Sequence, residues 1–205
     1  MTIQTSFLEP IHIPRIEPVR GHQVIYADPP WAYNQRAETD SFRGGAMRHY
    51  NTMPTADICA LPIEKLCASP AMLFMWATFP LLPDALRVIE AWGFTYCTVA
   101  FTWVKLNPND GGVFFGVGHY TKSNAEICLL ARRGKKALTP AVNTVSQVIV
   151  SPRMEHSRKP DEARRRIEQL YPNCSRLELF ARRQSPGWDV WGNQVESTIE
   201  LEGVA

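Results

Sequence analysis

Residues 23–27, Gln23-Val24-Ile25-Tyr26-Ala27, make a short apolar run that is stopped by two consecutive prolines in Asp28-Pro29-Pro30-Trp31. The run is strand-like in length and composition. Each proline locks its own φ, removes a backbone donor and biases the residue before it towards an extended conformation. The chain must therefore leave any sheet at Asp28. A strand ending in Asp-Pro-Pro is also an ordinary turn, so the tetrapeptide needs support from the rest of the chain.

Short apolar segments alternate with helix-patterned ones beyond it. Ala71–Trp76, Phe94–Lys105, Ala125–Ala131, Val145–Val150, Leu177–Phe180 and Trp188–Trp191 read as strands. Thr55–Leu66 reads as a short helix capped by Thr55, and Pro83–Trp92 as a helix stopped by Gly93. Pro160–Tyr171 reads as a helix with Pro160 in its first turn and Asp161 and Glu162 near the positive end of its dipole. Residues 1–21 read as a loosely structured arm, 32–54 as a mobile active-site loop, 107–120 as a loop and 195–205 as a tail. The pattern predicts one α/β domain over 1–205 with a mostly parallel sheet. Ligands in such sheets bind at the carboxyl ends of strands, where Asp28 lies.

Composition excludes some classes. With 205 residues, 45% hydrophobic and 20% charged, the chain suits one globular core, and its apolar runs are too short to span a bilayer. The N-terminus lacks the basic and apolar regions of a signal peptide, so a cytoplasmic location is expected. The five cysteines contain no Cys-x-x-Cys and read as reduced, mostly buried thiols; the five histidines have no metal-ligand spacing, so no metal site is expected. A net charge of +2 does not advertise a nucleic-acid binder; Arg132–Lys136, Arg164–Arg166 and Arg182-Arg183 are local basic clusters that could contact phosphates, although for any single one a solvated surface is the better reading.

Several residues carry chemistry. The Asp28 carboxylate and the Pro29 carbonyl form an acceptor pair for the two N–H bonds of an exocyclic ring amine, whose lone pair is delocalised, and Trp31 offers a flat face for a base. Lys159 falls at a helix N-terminus, an unfavourable place for a cation unless an anion is close; a ligand carboxylate is one resolution and a solvated side chain the other. Glu178 lies within a strand that should be buried, with Arg182 or a ligand hydroxyl as candidate partner. Asn193 and Gln194 are placed to hydrogen-bond a ribose or an adenine edge, or to make a polar loop.

Taken in order, Asp28-Pro29-Pro30-Trp31, Tyr50-Asn51-Thr52-Met53, Leu73-Phe74-Met75-Trp76, Trp92-Gly93-Phe94, Trp103-Val104-Lys105, Glu126, Ser157, Lys159-Pro160, Glu178-Leu179-Phe180 and Gly192-Asn193-Gln194 resemble the adenine-N6 methyltransferase family typified by the catalytic subunit of the eukaryotic messenger-RNA methyltransferase. The resemblance runs from about Val24 to Gln194. It implies a Rossmann-like methyltransferase sheet with permuted motif order and S-adenosyl-L-methionine as cofactor. It implies Asp28, Pro29, Pro30 and Trp31 as the catalytic segment, and Lys159 at the methionine carboxylate. Glu178, Phe180, Arg182, Asn193 and Gln194 would surround the ribose and adenine of the cofactor, with Asp28 beside it. Tyr50, Trp76, Trp103, Lys105, Glu126 and Ser157 would line the substrate side. The late strand ends in Phe180-Ala181-Arg182, where common methyltransferases have a Gly-rich turn.

The activity implied is methyl transfer to the N6 amine of adenine, with DNA as the polymer ahead of RNA. RNA adenine-N6 or DNA cytosine-N4 methylation, or a catalytically silent nucleic-acid-binding subunit, are the alternatives. The silent reading sits poorly with the presence of Asp28, Trp31, Lys159, Asn193 and Gln194 together, and nucleotide hydrolysis lacks a phosphate-binding Gly-rich loop.

Overall fold

The computed structural model describes residues 21–32, 52–118, 120–154 and 158–201. Most of the expected arm (1–21) and active-site loop (32–54), with Tyr50, and Ser157 lie outside the described residues. The chain order is β1 (His22–Ala27), α1 (Thr55–Ala60), β2 (Cys67–Ala77), α2 (Leu82–Ala91), β3 (Thr95–Leu106), β4 (Ala125–Arg133), β5 (Val148–Pro152), α3 (Asp161–Leu170), β6 (Arg176–Leu179) and β7 (Asp189–Trp191).

The seven strands form one sheet in the order β5-β3-β4-β2-β1-β6-β7. It is mostly parallel, as expected: only β4 runs against its neighbours, β2 and β3. The reversed strand has a consequence for chemistry. The end of β3 and the start of β4 both lie at the carboxyl end of the sheet, level with Asp28, whereas Arg132–Lys136 follow β4 to the opposite end.

Side chains alternate between the two faces with a period of two. Ile25, Ala27, Leu73, Met75, Leu129, Leu177 and Leu179 pack with Ile58, Ala85, Val88, Ile89 and Trp92 of the α1–α2 side. Val24, Tyr26, Phe74, Trp76, Phe101, Trp103 and Cys128 pack with Ala163 and Ile167 of α3. The same alternation carries Tyr26, Glu178, Lys105 and Glu126 onto the α3 face, because Tyr26 pairs with Phe74 and Glu178, and Glu126 with Trp103.

Some element boundaries differ from expectation. The helix read over 55–66 breaks after Ala60: Leu61 is extended (φ −62°, ψ 132°) because Pro62 follows it, and a separate 3-10 turn occupies Ile63–Leu66. Thr55 does not cap α1; Pro54 is the N-cap and no side chain caps it. Pro160 is likewise the N-cap of α3, outside the first turn. Residues 195–201 do not trail away: the Thr198 amide donates to the Val190 carbonyl (2.9 Å), and Leu201 is buried in the core. All five cysteines are free, but only Cys128 is buried and Cys97 is exposed, so "mostly buried" was too strong.

Trp92 ties the α1–α2 side together. It is fully buried, and its indole N–H donates to the Ile58 carbonyl at 2.9 Å. Trp92→Ala is expected to lower unfolding free energy by about 3–5 kcal/mol, measured by denaturant titration. A loss under about 1 kcal/mol would show that α1 does not depend on this contact.

Candidate active site

A cleft of about 1100 Å³ opens at the carboxyl ends of β1 and β6. Its lining includes Asp28, Lys159, Glu178, Phe180, Arg182 and Gln194, six positions that the sequence singled out. Asn193, exposed in the same turn, is not part of that lining. Two backbone features set this wall. Phe180 takes a left-handed conformation (φ 59°) where a glycine would fit without strain, and its ring packs edge-on against Trp191. A Cβ on Gly192 would lie 2.2 Å from the Ala181 carbonyl oxygen, so only glycine lets the chain after β7 approach this closely and present Gln194 to the cleft.

The tetrapeptide is pinned from behind. Met53 N–H donates to the Pro30 carbonyl at 2.7 Å, and Ala32 N–H donates to the Met53 carbonyl at 3.2 Å. The Pro29 carbonyl accepts the Trp31 N–H at 2.9 Å and keeps its second lone pair for another donor.

The anomaly at Lys159 resolves in a way the sequence did not offer. Its ammonium already has partners within the protein: it lies 2.7 Å from Asp28 Oδ1 and 3.3 Å from Glu126 Oε2, with the side chain 11% exposed. Glu126 also pairs with Lys105. Charges therefore alternate along Lys105, Glu126, Lys159 and Asp28. Burial raises the Asp28 carboxyl above the ordinary carboxylate range, against the pull of Lys159. Burial also pushes Glu126 up, but Lys159 and Lys105 outweigh it and hold that carboxyl low. For Lys159 burial acts downward, and Asp28 and Glu126 together overcome it and raise the ammonium pKa.

Three tryptophans change role. Trp31, expected as an open stacking face, is buried in the core with its indole N–H on the Trp76 carbonyl (3.1 Å). Trp76 and Trp103, expected to line the substrate side, are also buried. They underlie the lysines instead: Lys159 Nζ is 5.8 Å from the Trp76 ring centre and Lys105 Nζ 5.1 Å from that of Trp103. The Trp76 indole N–H also donates to the Tyr26 hydroxyl at 2.7 Å. Tyr26, which the sequence reading passed over, lines the cleft beside Asp28; its position two residues before Asp28 was the available signal.

Glu178 is paired as its burial requires, but by Arg164 of α3, whose guanidinium reaches both carboxylate oxygens (2.8 and 2.6 Å). The expected partner Arg182 is not the one at this contact. Burial nevertheless raises the Glu178 carboxyl, with Arg164 opposing. The cluster Arg164–Arg166 is thus mostly occupied internally, since Arg166 donates to the Ser146 and Val148 carbonyls. Among the described residues, no group of three or more His, Cys, Asp and Glu side chains is placed to hold a metal ion, and no helix is long and apolar enough to cross a membrane.

This arrangement can hold a polar, amine-bearing ring against a desolvated carboxylate. Known proteins resemble this chain in sequence. The profile of the MT-A70 family matches residues 22–194. The type II methyltransferase M.MunI of a Mycoplasma species is 33% identical over 199 residues, covering 90% of this chain and 82% of that protein. The human N(6)-adenine-specific methyltransferase METTL4 is 30% identical over 186 residues, and the human N(6)-adenosine-methyltransferase catalytic subunit METTL3 is 27% identical over 183. The chain spans only 37% and 29% of those two longer proteins. With the family profile matched across most of its length, this chain belongs to the MT-A70 family of N6-adenine methyltransferases.

Proposed function

We propose that this enzyme transfers a methyl group from S-adenosyl-L-methionine to the N6 amine of adenine in DNA, with Asp28 as the residue that holds and orients the amine. The observation that carries the reading is the Asp28 carboxylate, mostly buried and braced by Lys159 in the cleft. DNA is favoured on the likeness to M.MunI, a type II methyltransferase matched over most of both chains. We take the whole chain as one methyltransferase domain working in the cytoplasm, where both substrates are found.

The cleft suits the cofactor by volume and by donor set. A zwitterionic amino-acid end needs a cation, which Lys159 supplies, and a nucleoside needs hydrogen-bonding groups beside an apolar surface. Glu178 keeps acceptor capacity beyond Arg164, and Phe180, Arg182 and Gln194 complete the wall, with Asn193 adjacent. S-adenosyl-L-methionine, when bound, supplies an electrophilic sulfonium methyl. Asp28 accepts one N–H of the target amine and the free lone pair of the Pro29 carbonyl accepts the other. This turns the nitrogen lone pair out of conjugation with the ring. With the cofactor held there, its sulfonium would supply the methyl to that nitrogen and leave as the neutral thioether S-adenosylhomocysteine, and the displaced amine proton would pass to solvent. Pro30 and Trp31 fix the carboxylate in place, because an error of about 1 Å costs on the order of 100-fold in rate. The buried tryptophans keep water from beneath the lysines. Tyr50 and Ser157 remain proposed substrate contacts on the family resemblance, and Lys105 and Glu126 act by holding Lys159.

The test is incubation with tritium-labelled S-adenosyl-L-methionine and unmethylated duplex DNA, single-stranded DNA or RNA, followed by nucleoside analysis. Label is expected in N6-methyladenine from DNA, with loss of at least about 100-fold in Asp28→Ala. Label confined to RNA, or to N4-methylcytosine, would overturn the substrate assignment.

The pH dependence has a definite sign. Asp28 accepts the amine only when ionised, and its pKa is raised. Turnover is therefore expected to fall on acidification at a pH above the ordinary aspartate value of about 3.9, with folding monitored by circular dichroism. A rate that stays flat down to about pH 4 would remove Asp28 from the rate-determining ionisation.

A further inference from the structure

The rim of the cleft carries a charge surplus that the cofactor does not explain. Deep in the cleft the charges pair off, Lys159 with Asp28 and Arg164 with Glu178. Nearer solvent, Arg153, Arg158 and Arg183 also line it, and among the described residues the remaining carboxylate of the lining is Asp161. S-adenosyl-L-methionine is a zwitterion plus a sulfonium and so carries net positive charge. It brings further positive charge to this wall and no anion that the arginines could share.

Two of these arginines are already set side by side. Asp161, the first residue of α3, accepts Arg158 Nη2 at 2.6 Å on one oxygen and pairs with Arg183 through the other. Arg164 Nη1 also reaches Asp161, at 3.3 Å. Arg158 precedes α3 and Arg183 follows β6, so a shared carboxylate brings together two side chains from different parts of the chain. Their side chains are 44% and 46% exposed. A guanidinium has five N–H donors, and one bond to Asp161 leaves most of each fork open. Two adjacent guanidinium forks can hold several oxygens of one phosphodiester at once, and the cofactor has no phosphate.

Resting on the DNA reading above, we propose that Arg158 and Arg183, spaced by Asp161, grip a backbone phosphate of the DNA strand that delivers its adenine to Asp28. Asp161 is a positioning residue here: it holds the two forks in register while weakening their net pull. Arg165 lies on the same helix but is 68% exposed and pairs outward with Glu162, so it serves as a control.

The experiment is fluorescence anisotropy of labelled duplex DNA against the full chain over about 50–300 mM salt, with S-adenosylhomocysteine affinity measured in parallel by calorimetry. Each phosphate contact contributes about 0.9 to the slope of log affinity against log salt. The double variant Arg158→Gln, Arg183→Gln is expected to flatten that slope by about one, with S-adenosylhomocysteine affinity held within about twofold. Asp161→Asn moves the other way, binding DNA more tightly, and Arg165→Gln leaves the slope unchanged. Circular dichroism melts establish that each variant is folded. An unchanged slope in the double variant, or DNA and S-adenosylhomocysteine affinities that fall together, overturns the assignment while leaving the DNA reading intact. Absence of binding to duplex and single-stranded DNA alike by the parent protein defeats the DNA reading itself.

Discussion

Four charges that alternate along one face of the sheet, Lys105, Glu126, Lys159 and Asp28, hold the centre of this protein in place. None could be buried alone, because an isolated desolvated charge is too costly. In sequence each neutralises the next, and deleting a single member would strand its neighbours at a cost of about 3–5 kcal/mol. The arrangement is thus weak as a source of net stability but strong as a device for position. It fixes one carboxylate, at the end of β1, relative to the cleft.

The sheet topology exists around that network. A wholly parallel sheet would send the start of β4 to the end opposite Asp28. Because β4 is reversed, Glu126 at its beginning sits next to Lys105 at the end of β3 and also reaches Lys159 of the segment before α3. Beneath them Trp76 and Trp103 give the ammonium groups aromatic faces in place of water. Trp31 and Trp76 then link the tetrapeptide to Tyr26 through hydrogen bonds. The aromatic residues around the site are therefore structural supports for charge, and the open face of the site is built from carboxylates, guanidiniums and an amide.

Much of this was legible in the sequence where the signal is local. The apolar run before Asp28, the strand and helix alternation and the mostly parallel sheet all follow from periodicity and from proline. The break of α1 at Leu61 was equally local, since Pro62 forbids continuation, and reading one helix to Leu66 overlooked it. What could not be read were the partners. Arg182 stood four residues from Glu178 and looked a natural mate, but the left-handed turn at Phe180 redirects the chain, and Arg164 arrives from α3 instead. Lys159 likewise finds its anion 131 residues away in Asp28. The burial of Trp31 depends on Met53 and the core beneath, neither of which leaves a mark in the tetrapeptide.

The most direct test of the account is the titration of the Asp28 side-chain carboxyl by carbon-13 NMR, assigned with Asp28→Asn and followed in the parent protein, Lys159→Met and Glu126→Gln. The parent is predicted to titrate above the ordinary aspartate range. Removing Lys159 takes away the charge that holds it down, so the value rises further. Removing Glu126 takes away a repelling carboxylate, so it falls below the parent. Three coincident titrations would contradict the account, because they would mean that the alternating charges do not govern the carboxylate on which the proposed chemistry depends.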